Sequence, residues 1–139
     1  MPPRSLRSFG HQQLLAGYTY LHSKVAKSAA GAAPIGTPLI NTPKNAFTFF
    51  TEYRFSPRFE LGAGGQFASS RQAQNVPPIK KVPGYWTFDA MAKYEVTEKI
   101  SLQLNVNNIF DKYYYDQLHP FHVVPGQGRV ALLTLNFKF

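Results

Sequence analysis

Hydrophobic and polar residues alternate along six segments of the chain. In residues 46–55, one parity carries Phe47 and Phe55, and the other carries Glu52 and Arg54. A period of two residues predicts β-strands in a sheet with one apolar and one polar face. The predicted strands cover residues 12–23, 46–55, 58–69, 85–96, 99–109 and 128–139.

The connections between the predicted strands alternate in length. Only SPR separates the second strand from the third, and only VTEK separates the fourth from the fifth. The other gaps, residues 24–45, 70–84 and 110–127, are long. Tight turns at one rim and long loops at the other are typical of outer-membrane β-barrels. We therefore predict an all-β fold with an antiparallel, up-and-down sheet.

The predicted sheet suits a membrane better than water. A tilted membrane-spanning strand needs about 9–11 residues, which the six segments provide. Their polar face carries Gln, Asn, Glu, Arg and Lys, which favour a water-filled lumen over a dry core. Aromatic residues near strand ends are typical of the girdles at membrane interfaces, and they include Phe55, Phe59, Trp86, Phe137 and Phe139. Because single-chain bacterial barrels begin at about eight strands, we expect these strands to be part of a larger barrel.

Composition and charge narrow the possible functions. The 139 residues include no cysteine, which excludes disulfides and thiolate metal sites. The formal net charge is +8, but the basic residues are scattered among the loops and match no nucleic-acid-binding motif. We therefore expect attraction to anionic ligands or lipid headgroups rather than to nucleic acid. Residues 1–11 lack the apolar core of a signal peptide, and we expect this start to be unstructured.

The last third of the chain carries a specific combination of motifs. Residues 102–116 read LQLNVNNIFDKYYYD, residues 124–129 read VPGQGR, and the chain ends in LLTLNFKF. This combination resembles the C-terminal end of TonB-dependent outer-membrane receptors. The motif positions are Asn108, Ile109, Phe110, Asp111, Lys112, Tyr114, Pro125, Gly126, Gly128 and Arg129. The loop that separates the two motifs is most similar to the catecholate-siderophore branch of that family.

The resemblance implies that residues 12–139 form the C-terminal part of a barrel of about 22 strands with a plugged lumen. It implies a ferric siderophore as ligand, and the TonB complex as an energy source that acts through an N-terminal plug and TonB box. Outer-membrane lipid, lipopolysaccharide and the barrel-assembly machinery are implied as further partners, and Phe137 and Phe139 match the assembly signal. Without the plug and TonB box, we expect the chain to be a fragment, for example from a truncated gene, and inactive alone.

The long loops contain the residues that we expect to bind ligand: Arg71, Lys80, Lys81, Tyr113, Tyr115, His119 and His122. Basic side chains suit an anionic ferric complex or a lipopolysaccharide phosphate, and tyrosine rings can stack on a catecholate. Simpler interpretations stay open, namely a solvated loop for the basic residues and an interfacial aromatic belt for residues 113–115. The two histidines have no Cys or carboxylate partner at a fixed spacing, which favours a loop role over a metal site.

No arrangement of residues indicates an enzyme or a cofactor site. Glu52 and Glu60 could suggest a glycosidase pair, but lumen-facing charges balanced by Arg54 and Arg58 explain them better. The GAGG stretch at 62–65 lies in a predicted strand, where glycine marks a close approach or a bend rather than a phosphate loop. No Ser-His-Asp arrangement has motif support. A self-contained, lipocalin-like β-barrel that binds a small ligand remains the alternative function.

Overall fold

Six long antiparallel strands form one sheet in the computed structural model, which describes residues 11–74, 77–119 and 121–139. The long strands are β1 (His11–Tyr20), β2 (Asn45–Ser56), β3 (Phe59–Ala68), β6 (Tyr85–Glu95), β7 (Ile100–Asn107) and β10 (Val130–Phe137). They lie side by side in chain order, with β1 and β10 at the two edges. The predicted all-β, up-and-down sheet is therefore confirmed, and each strand begins and ends within three residues of its predicted bounds.

Four short strands interrupt the long loops, and the alternation pattern did not predict them. β4 (Arg71–Gln72) pairs with β5 (Lys81–Val82), and β8 (Tyr115–Leu118) pairs with β9 (Val123–Pro125). These are small hairpins built within the connections, and neither joins the main sheet. Across the described part of the chain, no helix has the length and apolar character needed to cross a bilayer.

The start of the chain was expected to be unstructured over residues 1–11. Residues 1–10 lie outside the described residues. His11 is the first residue of β1, where it pairs with Arg54 of β2.

One rim of the sheet carries three long connections, and the other carries two tight turns. We call the long connections loop 1 (residues 21–44), loop 2 (69–84) and loop 3 (108–129), and their rim the loop rim. At the opposite turn rim, the Ser56 hydroxyl accepts a hydrogen bond from the Arg58 amide at 3.3 Å. The Thr97 hydroxyl likewise accepts from the Ile100 amide at 3.0 Å. These side-chain bonds explain why so few residues suffice to reverse the strands.

The apolar face carries two aromatic clusters, one near each rim. At the loop rim, Phe47, Phe67 and Trp86 are neighbours across three strands, and the Phe67 and Trp86 ring centroids lie 5.1 Å apart. At the turn rim, the Phe55 ring packs edge-on against Tyr53 at 4.5 Å. Phe55 lies eight positions after Phe47 in β2, which is about 26 Å along the strand and about 20 Å after a barrel-like tilt. That spacing fits the height of a lipid-facing band between two girdles, about 25 Å.

The polar face carries a row of charged and amide side chains across four strands. Arg54, Glu60, Lys93 and Gln103 are successive register partners. The Arg54 guanidinium and the Glu60 carboxylate form an ion pair at 3.1 Å. The interpretation of Glu60 as a polar-face charge balanced by Arg54 is therefore confirmed.

Phe50 is the exception on the polar face, and glycine makes room for it. A Cβ atom on Gly62 would lie 2.8 Å from the Phe50 ring, and one on Gly64 would lie 2.5 Å from it. Gly64 is also the register partner of Phe50. The ring therefore lies flat against the backbone of β3, which confirms that glycine in GAGG serves a close approach.

Candidate ligand-binding loops

Loops 2 and 3 share a small buried core above the sheet. Ala73, Val82 and Leu118 are buried against one another, and Tyr115 packs on them. These residues come from the β4–β5 hairpin and from β8. The two hairpins therefore support each other and form a structured surface above the loop rim.

Arg71 joins all three loops. Its side chain is only 7% exposed. One guanidinium nitrogen, Nη1, donates to Asn41 Oδ1 of loop 1 at 3.0 Å and to the Asp116 carbonyl of loop 3 at 2.7 Å. The other, Nη2, donates to the Tyr115 carbonyl, and the guanidinium carbon lies 5.7 Å from the Tyr85 ring centroid. A planar fork with several donors is suited to acceptors on different loops, so Arg71 acts here as a structural bridge.

Asn108 begins loop 3 with a closed set of hydrogen bonds. It is 4% exposed and has a φ of 50°, a left-handed conformation that asparagine tolerates better than most residues. Its amide side chain donates to the carbonyls of Lys112 at 2.9 Å and Gln127 at 3.0 Å, and accepts from the Lys112 amide at 2.9 Å. The Asp89 carboxylate accepts from the Asn108 backbone amide at 2.8 Å. One side chain thereby joins the outgoing and returning ends of loop 3.

Four other motif residues, Asp111, Tyr114, Gly126 and Arg129, complete the same junction. Asp111 also has a positive φ, and its carboxylate accepts a hydrogen bond from the Arg129 amide at 2.8 Å. The Gly126 amide donates to the Tyr114 carbonyl at 2.8 Å. A Cβ atom on Gly126 would lie 2.1 Å from the Tyr114 ring, so only glycine fits beside that ring. The motif that carried the family resemblance therefore joins the two ends of loop 3, and we call this set of contacts among Asn108, Asp111, Tyr114, Gly126 and Arg129 the clasp.

The three consecutive tyrosines have different surroundings. Tyr113 is 68% exposed, and its ring contacts that of Tyr115 edge-on at 5.5 Å. Tyr114 stacks on Tyr85 with ring centroids 4.3 Å apart. Burial, and then the nearby Asp116 carboxylate, raise the pKa of the Tyr114 phenol above its usual value of 10.0, so it is neutral at physiological pH. Tyr114 and Tyr115 therefore pack within the loop structure, whereas the neighbouring Phe110 lies 73% exposed against Phe88.

A first cleft, of about 570 Å³, brings together five of the seven residues predicted to bind ligand. We call it the aromatic cleft, and its lining is Ala73, Lys80, Lys81, Val82, Pro83, Tyr115, His119, Phe121, His122 and Val123. The His119 and His122 rings stack at 4.4 Å, and the His119 amide donates to the His122 carbonyl at 2.9 Å. Phe121 is almost fully exposed. The cleft combines two ammonium groups with four rings and has no Asp or Glu in its described lining.

A second cleft, of about 280 Å³, lies where loop 1 meets loop 2. We call it the lysine cleft, and its lining is Leu21, His22, Ser23, Lys24, Pro38, Leu39, Thr42, Lys44, Ser70, Arg71, Gln72 and Lys81. Lys81 is common to both clefts. Sequence reasoning missed the loop 1 contribution, because no motif in residues 21–44 marks His22, Lys24 or Lys44 as neighbours of loop 2.

The clefts suit non-covalent recognition of anions. Within residues 11–74, 77–119 and 121–139, no group of three or more His, Asp or Glu side chains is placed to hold a metal ion. Lysine ammonium groups attract anionic oxygens, and exposed rings offer stacking surfaces. Both features are found at the rim that carries the long loops.

The sequence and the fold both match known proteins. The TonB dependent receptor-like, beta-barrel family matches residues 6–109. The probable TonB-dependent siderophore receptor PiuA of Acinetobacter baumannii is 37% identical over 134 residues, which cover 89% of this chain and 18% of PiuA. The catecholate siderophore receptor Fiu of Escherichia coli K12 is 31% identical, with 91% of this chain and 17% of Fiu covered. The chain thus spans less than a fifth of the length of these curated relatives.

Solved structures show the same relationship. The crystal structure of PiuA superimposes with a TM-score of 0.81 at 34% identity, over 92% of this chain and 20% of PiuA. The closed form of Fiu gives a TM-score of 0.78 at 30% identity, over 92% of this chain and 19% of Fiu. These likenesses favour the receptor barrel over the lipocalin-like alternative for the fold. The chain belongs to the family of TonB-dependent receptor β-barrels, whose members are receptors and transporters rather than enzymes.

Proposed function

We propose that this chain forms six wall strands and three outward-facing loops of an outer-membrane receptor that takes up ferric siderophores of the catecholate class. The observation that carries the proposal is the aromatic cleft, where Lys80 and Lys81 lie beside Tyr115, His119 and His122. The names of the relatives support the ligand class, because Fiu is a catecholate siderophore receptor and PiuA a siderophore receptor.

The chemistry of the cleft matches that ligand class. A ferric catecholate is an anion with several planar aromatic rings. Ammonium groups attract its phenolate oxygens, and the exposed Phe121 and histidine rings of the cleft offer faces and edges for aromatic contact. Tyr113 lies outside the lining, but its ring contacts that of Tyr115, which belongs to it. In this proposal Lys80, Lys81, Tyr113, Tyr115, His119 and His122 contact ligand, and Arg71 is a positioning residue that holds the loops together.

The remaining parts of the proposal concern the parent barrel. Residues 12–139 form the C-terminal segment of a larger barrel in the outer membrane, which is energised by the TonB complex and surrounded by lipid and lipopolysaccharide. Phe137 ends β10, and both it and Phe139 are exposed. This placement leaves the two aromatic side chains available as a signal for the barrel-assembly machinery.

Uptake by a chimeric receptor tests the proposal. Residues 11–139 replace the aligned segment of PiuA, and the PiuA chimera is expressed in a strain without catecholate receptors. We expect the chimera to take up a radiolabelled ferric catecholate. At subsaturating ligand, the double variant Lys80→Gln with Phe121→Ala should take it up about tenfold more slowly, since each substitution removes one contact of about 1 kcal/mol or less.

Lys99→Gln is the matched control, because Lys99 is an exposed lysine in the turn rim. It should leave uptake unchanged. Equal uptake by the cleft variant and the control, at equal receptor levels in the membrane, would contradict a ligand site in the aromatic cleft.

A further inference from the structure

The lysine cleft concentrates positive charge, and Lys81 is the only one of its lysines that the receptor proposal uses. Lys24 and Lys44 come from loop 1, and Arg71 and Lys81 come from loop 2. His22 lines the same cleft, and the described lining contains no Asp or Glu. Uncompensated charges so close together repel one another and favour the binding of an anion.

Arg71 provides a second, independent observation. Its guanidinium is buried, yet no described carboxylate lies within ion-pairing distance of it. Its Nε atom is also buried without a hydrogen-bond partner among the described residues. A buried cation that is bonded only to neutral acceptors is incompletely compensated, and a nearby anion would stabilise it.

The lining also indicates which kind of anion fits. Residues with hydroxyl side chains from both loops, Ser23, Thr42 and Ser70, line the cleft together with the lysines. The Thr42 hydroxyl donates to the Ile40 carbonyl at 3.0 Å, which leaves Ser23 and Ser70 as the candidate donors. The lining residues include no Phe, Tyr or Trp, in contrast to the aromatic cleft. A small cleft with several cationic donors and hydroxyls suits a compact, multiply charged oxyanion with tetrahedral oxygens rather than a planar aromatic group.

We propose that the lysine cleft is a binding site for a phosphate group, held by Lys24, Lys44 and Lys81 over the Arg71 guanidinium. The Lys44 ammonium lies 5.6 Å from the Tyr20 ring centroid. That weak cation–π contact keeps Lys44 near the end of β1 and leaves its hydrogen-bond donors available for the phosphate oxygens. The phosphate group belongs either to a headgroup of the surrounding lipid or to a soluble phosphate.

The test measures phosphate binding directly. The purified PiuA chimera is titrated with inorganic phosphate by calorimetry, and its association with phosphatidylcholine vesicles is measured with and without bisphosphorylated lipid A. We expect Lys24→Gln with Lys44→Gln to weaken phosphate binding by about tenfold, because both removed groups are charge-assisted donors in a partly exposed site.

The matched control is Lys99→Gln with Lys138→Gln, which also removes two positive charges. Both lysines lie at the turn rim, where the Lys138 amide donates to the Lys99 carbonyl at 2.8 Å. This control should leave phosphate affinity within about twofold, since exposed charges at distances beyond a Debye length are screened. If both inorganic phosphate and lipid A vesicles bind, and both affinities depend on Lys24 and Lys44, the natural ligand is a lipid headgroup. If only inorganic phosphate binds, the ligand is a soluble phosphate.

No phosphate binding by the unmodified chimera, or an equal loss in cleft and control variants, would overturn the proposal. Catecholate uptake depends on Lys80 and Phe121, which lie outside the lysine cleft. A failure of the phosphate site would therefore leave the proposed receptor function standing.

Discussion

Replacement of Arg71 by methionine should release loops 1 and 3 while the sheet stays folded. The change keeps an apolar stem of similar length but removes the donors to Asn41 Oδ1 and to the carbonyls of Tyr115 and Asp116. A buried acceptor that loses its partner costs about 1–3 kcal/mol. Because Asn41 and Tyr115 are only half-buried and Asp116 is exposed, we take the lower end for each of the three acceptors, which gives about 3 kcal/mol of loop stability.

Hydrogen exchange on the PiuA chimera measures this loss at individual amides. The Asn41 amide donates to the Gln72 carbonyl, and the Gly126 amide donates to the Tyr114 carbonyl, both at 2.8 Å. A loss of about 3 kcal/mol corresponds to exchange about 100-fold faster at these two positions. Amides in the centres of β2 and β3 should keep their protection, since their partners are within the sheet.

Two further variants sharpen the result. Arg71→Lys should lose most of the protection as well, because a single ammonium cannot reach acceptors on two loops in the geometry of the planar fork. Arg58→Met removes an exposed arginine at the turn rim and should change neither reporter amide. Unchanged exchange at Asn41 and Gly126 in Arg71→Met would refute the role of Arg71 as the bridge.

Three other variants test the clasp of loop 3, the apolar and polar faces of the sheet, and the role of Phe139. Gly126→Ala should displace the Tyr114 ring, because the new Cβ would lie 2.1 Å from it, and near-ultraviolet circular dichroism should report the change. In the membrane-embedded chimera, a cysteine at Leu104 should resist aqueous maleimide, and one at Asn105 should react through the lumen. Deletion of Phe139 should lower the amount of heat-modifiable chimera in the outer membrane, measured by fractionation and gel mobility.

Each of these predictions has an outcome that contradicts it. Gly17→Ala is the glycine control, because its Cβ would meet the nearest atom at an ordinary 3.5 Å; a spectral change as large as that of Gly126→Ala would argue against the clasp. Equal labelling at Leu104 and Asn105 would contradict the two-faced wall. Normal outer-membrane levels without Phe139 would show that this residue is not part of an assembly signal.

The sheet of six long strands was predictable from the sequence because the alternation of apolar and polar residues is a local signal. In β7, for example, Leu102, Leu104 and Val106 point to one face whatever the rest of the chain does. The sequence also indicated that the glycines of β3 allow a close approach, but it did not show which side chain approaches them. Phe50 breaks the alternation of β2, and only the register with Gly62 and Gly64 shows why an aromatic ring is accommodated on the polar face.

The loop structure was less predictable because it rests on contacts between distant residues. Arg71 bonds to residues 30, 44 and 45 positions away, and no local pattern distinguishes such an arginine from a solvated one. The same holds for Lys24 and Lys44, which line a cleft with loop 2 only after β1, β2 and β3 have paired. The candidate residues of loops 2 and 3 were identified from residue type. The hairpins that bring them together were missed because their strands are only two to four residues long.

The most direct test of the central claim is ligand selectivity in the purified PiuA chimera. Quenching of intrinsic fluorescence gives the Kd of a ferric catecholate and of a neutral ferric hydroxamate, for the chimera and for Lys80→Gln with Lys81→Gln. We predict that the chimera binds the catecholate more tightly than the hydroxamate. The double variant should weaken catecholate binding by about tenfold, because the lost contacts are charge-assisted. Its affinity for the hydroxamate should stay the same. Equal affinity for the two ligands, or catecholate binding that is insensitive to both lysines, would contradict the account.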